Sequence, residues 1–163
     1  MFGAHGLSRI AERALDAAVE AIRLVPATDQ TNSRLGGMPN LDDRPWPEHN
    51  GKPLAFVAQL DLSELARRIP TGGLPTEGLL SFFYAPEWDA PGYDPASRTG
   101  WQVYWARQRS NLRELPDNMS PLGQFAAVNV DFMPIVTLPS PRSNAVDLWE
   151  LSEEESDRYD DLW

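Results

Sequence analysis

The sequence contains no cysteine. Disulfide staples, thiol catalysis and Cys-based metal sites are therefore excluded, and the expected compartment is the cytoplasm. Histidine is almost as scarce. Only His5 and His49 occur, with no HxxxH or HxH spacing, whereas a metal site needs about four converging ligands. No apolar run approaches the ~20 residues that span a bilayer. Met1 to His5 lack the basic and apolar stretches of a secretion signal, so none is expected. Positive charge is also sparse, with 14 Lys and Arg against 24 Asp and Glu and a net charge of −10. Phosphate contact needs Lys and Arg, which argues against a nucleic-acid binder and against docking on anionic membranes.

What is present is enough for one domain with its own core: 163 residues, 42% of them hydrophobic, including six Trp and six Phe. The charge is uneven. Asp147, Glu150, Glu153, Glu154, Glu155, Asp157, Asp160 and Asp161 face Arg158 alone, so −7 of the −10 lies in the last 17 residues.

Helical spacing of Leu7, Ile10, Ala11, Ala14, Ala18 and Ile22 predicts an amphipathic helix over residues 7–24, ended by Pro26. Residues 26–53 read as a long loop broken by Gly, Pro and Asn, which Leu35, Met38, Leu41 and Trp46 tie to the body. Leu54 to Leu60 reads as a strand and Leu62 to Ile69 as a short helix. A capping box is expected there, Asp61 accepting from the first turn and Glu64 reaching back. Gly78 to Tyr84 is a second strand. Residues 85–100 form a loop. Trp101 to Ala106 alternates, with Trp101, Val103 and Trp105 on one face, and is expected half-buried with Trp101 and Trp105 in the core. Phe125 to Phe132 is a further strand, extended or followed by Ile135 to Leu138. A second capping box, Ser152 with Glu155, opens an acidic helix.

The expectation is an α+β chain: an N-terminal helix in 1–25, a predominantly antiparallel sheet of about four to five strands in 26–142, and an acidic helical tail in 143–163, as a single domain over 1–163.

Three stretches carry a resemblance: Ser33-Arg34-Leu35-Gly36-Gly37-Met38-Pro39 with Trp46-Pro47, then Gly51 to Leu62, then Leu74-Pro75 followed by Gly78 to Tyr84. Their order and spacing resemble the YwqG-like family, a bacterial domain of unknown function. The resemblance implies an α+β domain dominated by antiparallel sheet and carries over no catalytic residue. It also implies the neighbourhood of bacterial toxin systems, where small acidic proteins serve as immunity factors. Family chains usually continue past the acidic helix into a second β-rich portion. This chain ends at Trp163, so the expectation is either a shortened member or a missing portion supplied from elsewhere, with self-association through a face that such a portion would cover.

No residue pattern points to an enzyme. Gly-x-Ser-x-Gly and P-loop motifs are absent. Gly36-Gly37 reads as a tight turn, Asp42-Asp43 as a turn cap, and Ser63 and Ser81 have no histidine nearby in sequence. No catalytic residue, cofactor or metal is expected. The function expected is a protein-binding module, most concretely an immunity-like protein that covers a basic bacterial toxin with an acidic face. Its candidate residues are Trp149, Glu150, Glu153, Glu154, Glu155, Asp157 and Trp163. The alternative is a small-ligand or carbohydrate-binding protein whose aromatic pocket uses Trp46, Trp101 and Trp105, with Trp88 as a further candidate lining.

Overall fold

Helical spacing carries the chain only as far as Asp16. In the computed structural model, which describes residues 2–70, 72–86 and 95–163, short 3-10 turns at Phe2–His5 and Ser8–Ile10 lead into helix α1, Ala11–Asp16. Leu7 and Ile10 ahead of it and Ala14 within it are buried. The second half of the predicted helix is instead strand β1, Val19–Pro26. Val19, Ile22 and Val25 are β-branched, and strand pairing overrides the helical preference of the alanines around them.

The remaining strands are β2 Arg34–Leu35, β3 Glu48–His49, β4 Lys52–Pro53, β5 Ala55–Asp61, β6 Leu79–Tyr84, β7 Trp101–Ala106 and β8 Val128–Thr137. The helices after α1 are α2 Leu62–Ala66, α3 Asn144–Asp147 and α4 Glu153–Leu162. Six strands form one sheet in the order β1-β8-β2-β5-β6-β7, and β3-β4 form a separate hairpin. The strand count thus exceeds the expected four to five. Besides β1, the additions are short: β2 and the hairpin lie in the predicted loop 26–53. The hairpin turns on Asn50 and Gly51, both at positive φ (49° and 73°), the arrangement that an Asn-Gly pair favours. Residues 95–100 of the other predicted loop form a 3-10 helix. Residues 87–94 of that loop, Trp88 included, lie outside the described residues.

Strand β8 runs unbroken through Pro134. A proline fits a strand where no ladder needs its N–H, and β2 meets β8 only at Val128 and Asn129.

The chain divides into two compact units, residues 1–23 with 134–163 and residues 24–133. In the first, the N-terminal segment and the acidic tail share one core: Phe2, Leu7, Ile10 and Ala14 with Val146, Trp149 and Tyr159. In the second, Leu41, Leu54, Phe56, Phe83 and Ala85 form a core against which Trp46 and Tyr104 pack. Among the described residues, no helix is long and apolar enough to cross a membrane.

Candidate functional site

The acidic tail folds as its sequence predicts at the cap. The Ser152 hydroxyl accepts from the Glu155 amide at 3.2 Å and the Glu155 carboxylate accepts from the Ser152 amide at 3.0 Å. Glu155 is further gripped by Arg9, whose Nε and Nη2 donate to its two oxygens at 2.9 and 2.7 Å. The arginine first, and the Ser152 amide second, hold the Glu155 carboxyl down to about 2. Of the seven residues proposed to meet a partner, Trp149 is a core residue. It is 6% exposed and packs edge-on against Tyr159 at 5.4 Å. The helix needs that apolar anchor, so Trp149 is not available as a docking anchor. Glu150, Glu153, Glu154 and Asp157 are exposed, Glu154 pairing with Arg158 one turn on. Trp163 is exposed and donates its indole N–H to the Leu138 carbonyl at 3.1 Å.

The three tryptophans of the expected ligand pocket are not brought together. Trp46 donates to the Leu54 carbonyl at 2.8 Å and meets Phe83 edge-on at 5.6 Å, on one side of the sheet. Trp101 and Trp105 stand on the other side. They are 45% and 41% exposed, so neither is the core residue expected. Alternation fixed which residues share a face of β7 but not which face is covered. The covered face carries Tyr104, which packs against Phe83 at 5.6 Å, and buried Ala106.

The uncovered face extends across four more strands. Trp101 pairs with Tyr84, Val103 with Phe82 and Trp105 with Leu80. Phe82 and Leu80 pair in turn with Ala58 and Leu60 of β5. Ala58 pairs with Leu35, and Leu35 with Val128. A register shift between Phe56 and Ala58 turns Val57 outward. Leu35, Val57, Val103 and Val128 are all exposed, and none of the paired positions named carries a charge. Contiguous exposed apolar surface of this extent marks an interaction site more often than scattered hydrophobics do.

Beneath the opposite face lies a buried polar cluster that sequence reading missed. Gln59, wholly buried, donates to the Asn40 carbonyl and to Ser81 Oγ at 3.0 and 2.6 Å. Its own carbonyl accepts from the Asn40 amide at 3.0 Å. Asp61 caps α2 as expected, accepting from the Ser63 and Glu64 amides, and also pairs with Arg109. Burial pushes its carboxyl upward, but the Ser63 and Arg109 bonds outweigh that and leave it below its ordinary value. Glu64 does not reach back to complete the box. It accepts instead from Thr31, Asn32 and Ser33. Burial raises its carboxyl and these bonds more than offset the rise.

These bonds also engage two serines. Ser33 Oγ donates to Glu64 and accepts from the Asp61 amide, and Ser63 Oγ donates to Asp61. Their protons are committed to carboxylates that are themselves fully bonded, and neither serine has a histidine partner among the described contacts. His49, expected in a loop, is buried in β3. Its Nδ1 lies 2.8 Å from Thr99 Oγ1 and its Nε2 3.0 Å from Asn50 Nδ2, both within hydrogen-bond distance. A cavity of about 450 Å³ beside it is lined by His49, Lys52, Leu54, Asp117 and Met119 among others. Both His49 nitrogens are already engaged. Among the described residues, no three His, Asp or Glu side chains are grouped to hold a metal. Gly36 and Gly37 are the tight turn expected: both have positive φ, and a Cβ on Gly36 would meet the Ala126 carbonyl oxygen at 2.5 Å.

No curated protein matches this chain. The family model described as a domain of unknown function (DUF1963) matches residues 33–162, which takes in the glycine turn, the whole uncovered face and the acidic helix, and the chain belongs to that family.

Proposed function

We propose that this chain is a non-enzymatic protein-binding module whose binding surface is the open apolar face of the sheet. The carrying observation is that Trp101, Val103 and Trp105 stand exposed on one side of β7, on a face that runs through half-buried Phe82 and buried Ala58 to exposed Leu35 and Val128. Large aromatics with few rotatable bonds are the side chains that anchor protein interfaces. In keeping with a sequence without cysteine, the module is cytoplasmic.

A second reading rests on a different surface. Helix α4 displays Glu153, Glu154 and Asp157 beside Asp160 and Asp161, with Arg158 as the helix's own counter-charge. Such a face attracts a basic protein over long range, as an immunity-like protein does its toxin. The small-ligand reading is weakened by the separation of Trp46 from Trp101 and Trp105.

The test is a photocrosslinking side chain placed at Val103 on the open face and, in a separate protein, at exposed Gln102 on the other face. Expressed in the native host, the Val103 variant should crosslink one protein reproducibly, and adding Trp101→Ser with Trp105→Ser should abolish that product while circular dichroism remains that of the folded chain. A Val103 probe that crosslinks no more than the Gln102 probe would overturn the proposal.

A further inference from the structure

The last strand of the sheet is also its free edge. Among the described residues, no strand pairs with the side of β7 away from β6. Natural edges are guarded by Lys, Pro, acidic side chains or bulges. Strand β7 reads Trp-Gln-Val-Tyr-Trp-Ala and carries none of these.

The direction of its backbone groups follows from one bond. The Ala85 amide donates to the Gly100 carbonyl at 2.8 Å, just before the Tyr84–Trp101 pair. In an antiparallel ladder, alternate residues aim both N–H and C=O at the same neighbour. Gly100, Gln102 and Tyr104 therefore face β6, and Trp101, Val103 and Trp105 point their backbone groups off the edge. The residues that present the apolar side chains are the ones with outward amides.

Their order matters. Trp101, Val103, Trp105 is a palindrome. If a second β7 approaches antiparallel about a two-fold axis at Val103, Val103 meets Val103, and each Trp101 lies opposite the other copy's Trp105 on one face. All three outward positions then fall in register as hydrogen-bonded pairs. A two-fold interface must be self-complementary in this way, and opposed aromatics are among the better cross-strand pairs. On the reverse face Gln102 meets Tyr104, so no like charges oppose each other.

From this geometry we infer that β7 is a homodimer edge, two copies joining their sheets antiparallel about Val103. The inference rests on reading the open face as a protein interface and names its partner on the β7 side as a second copy. Two side chains already meet outward carbonyls: that of Val103 accepts from Gln102 Nε2 at 3.1 Å, and that of Trp105 from Arg44. The Arg44 Nη2 donates to the Trp105 carbonyl at 2.7 Å while its guanidinium lies 5.0 Å from the Tyr104 ring centre. A carbonyl accepts two bonds, so these contacts dampen the pairing without blocking it. Edge pairing of a six-residue strand is a small interface, which makes the association a weak one. Each copy carries −10, so repulsion opposes the dimer and salt strengthens it, opposite to the salt response of a basic partner.

The experiment is sedimentation velocity on the full chain across a micromolar-to-millimolar series at low and high salt. The expected result is a monomer–dimer equilibrium that tightens with salt. Val103→Pro should hold the chain monomeric. Because the Val103 amide does not bond to β6, this change leaves the intramolecular ladder intact, as unchanged circular dichroism would verify. Val103→Cys gives the chain a single thiol, and paired Cα atoms in such a register lie about 5.5 Å apart, within disulfide reach. Oxidised glutathione should therefore link it into a dimer faster than Gln102→Cys, whose pairing partner is Tyr104. A monomer at every concentration and salt overturns the inference, as does a Val103→Pro chain that dimerises like the wild type or equal crosslinking of the two thiols. If the chain is monomeric while the Val103 probe still captures a different protein, the proposed function stands and only the second copy fails.

Discussion

Arg9 and Glu155, far apart in sequence, form a two-pronged ion pair in which the guanidinium also reaches the Trp149 and Glu150 carbonyls at 3.4 and 3.3 Å. One side chain thus ties the N-terminal segment to both ends of the turn that enters α4. The Glu155 carboxyl is held at about 2, from an ordinary 4.5. A depressed carboxyl contributes stability above its unfolded value and loses it as pH falls through the folded value. Wild type should therefore exceed Glu155→Gln in stability at neutral pH, and the gap should close between about 4.5 and about 2. Urea unfolding of both proteins across that range checks this. A gap independent of pH would remove the ion pair from the account.

Trp149 and Trp163 bracket the acidic helix but have different fates. Trp149→Ala removes a core ring packed on Tyr159 and should cost about 3–5 kcal/mol. Trp163 is 65% exposed, so Trp163→Ala should change stability by less than about 0.5 kcal/mol. Denaturant midpoints of the two variants measure the contrast. Equal losses would mean that Trp163 is as much a part of the core as Trp149.

Local chemistry made several of these features legible. The Ser152–Glu155 box, the Asp61 cap and the apolar runs of β5 and β6 were readable because a cap or an alternation acts within a few residues. The Asn50-Gly51 turn is an equally local signal, masked by the Pro and Gly that surround it. What was not legible depends on distant partners. Glu64 sits where a capping box would use it, but Thr31, Asn32 and Ser33 claim its oxygens. Val19 to Pro26 keeps a helical pattern of apolar residues until strand pairing claims it. Trp101 and Trp105 alternate as core residues do, and only the packing of Trp46 and Tyr104 with the Phe83 core on the opposite side reveals that theirs is uncovered.

The glycine turn at residues 36 and 37 can be separated from ordinary glycine preference by comparison with Gly51. All three have positive φ, but nothing lies within 4 Å of a Cβ built on Gly51, whereas one on Gly36 meets Ala126 O at 2.5 Å. Gly51→Ala should cost only the backbone strain of that region, about 1–2 kcal/mol. Gly36→Ala adds a clash with main chain and should cost clearly more, with an aggregation-prone or unfolded product as the extreme. Comparable melting temperatures for the two variants would show that the close approach to Ala126 is easily relaxed.

Gln59 is the test of the buried polar cluster. Its amide makes bonds to Asn40 N, Asn40 O and Ser81 Oγ, with a longer one of 3.4 Å from Arg34. Gln59→Leu keeps the approximate volume but strands all of these partners, and unpaired buried groups cost about 1–3 kcal/mol each. Some relax toward one another, so a loss of roughly 3 kcal/mol is expected. Ser81→Ala alone leaves only the Gln59 N–H short of one partner and should cost about 1–2 kcal/mol. In Gln59→Leu with Ser81→Ala the serine is no longer there to be stranded. The double change should therefore cost less than the sum, by an interaction of about 1 kcal/mol. Additive losses would mean that the 2.6 Å bond contributes nothing net and that the cluster is held by Asn40 alone.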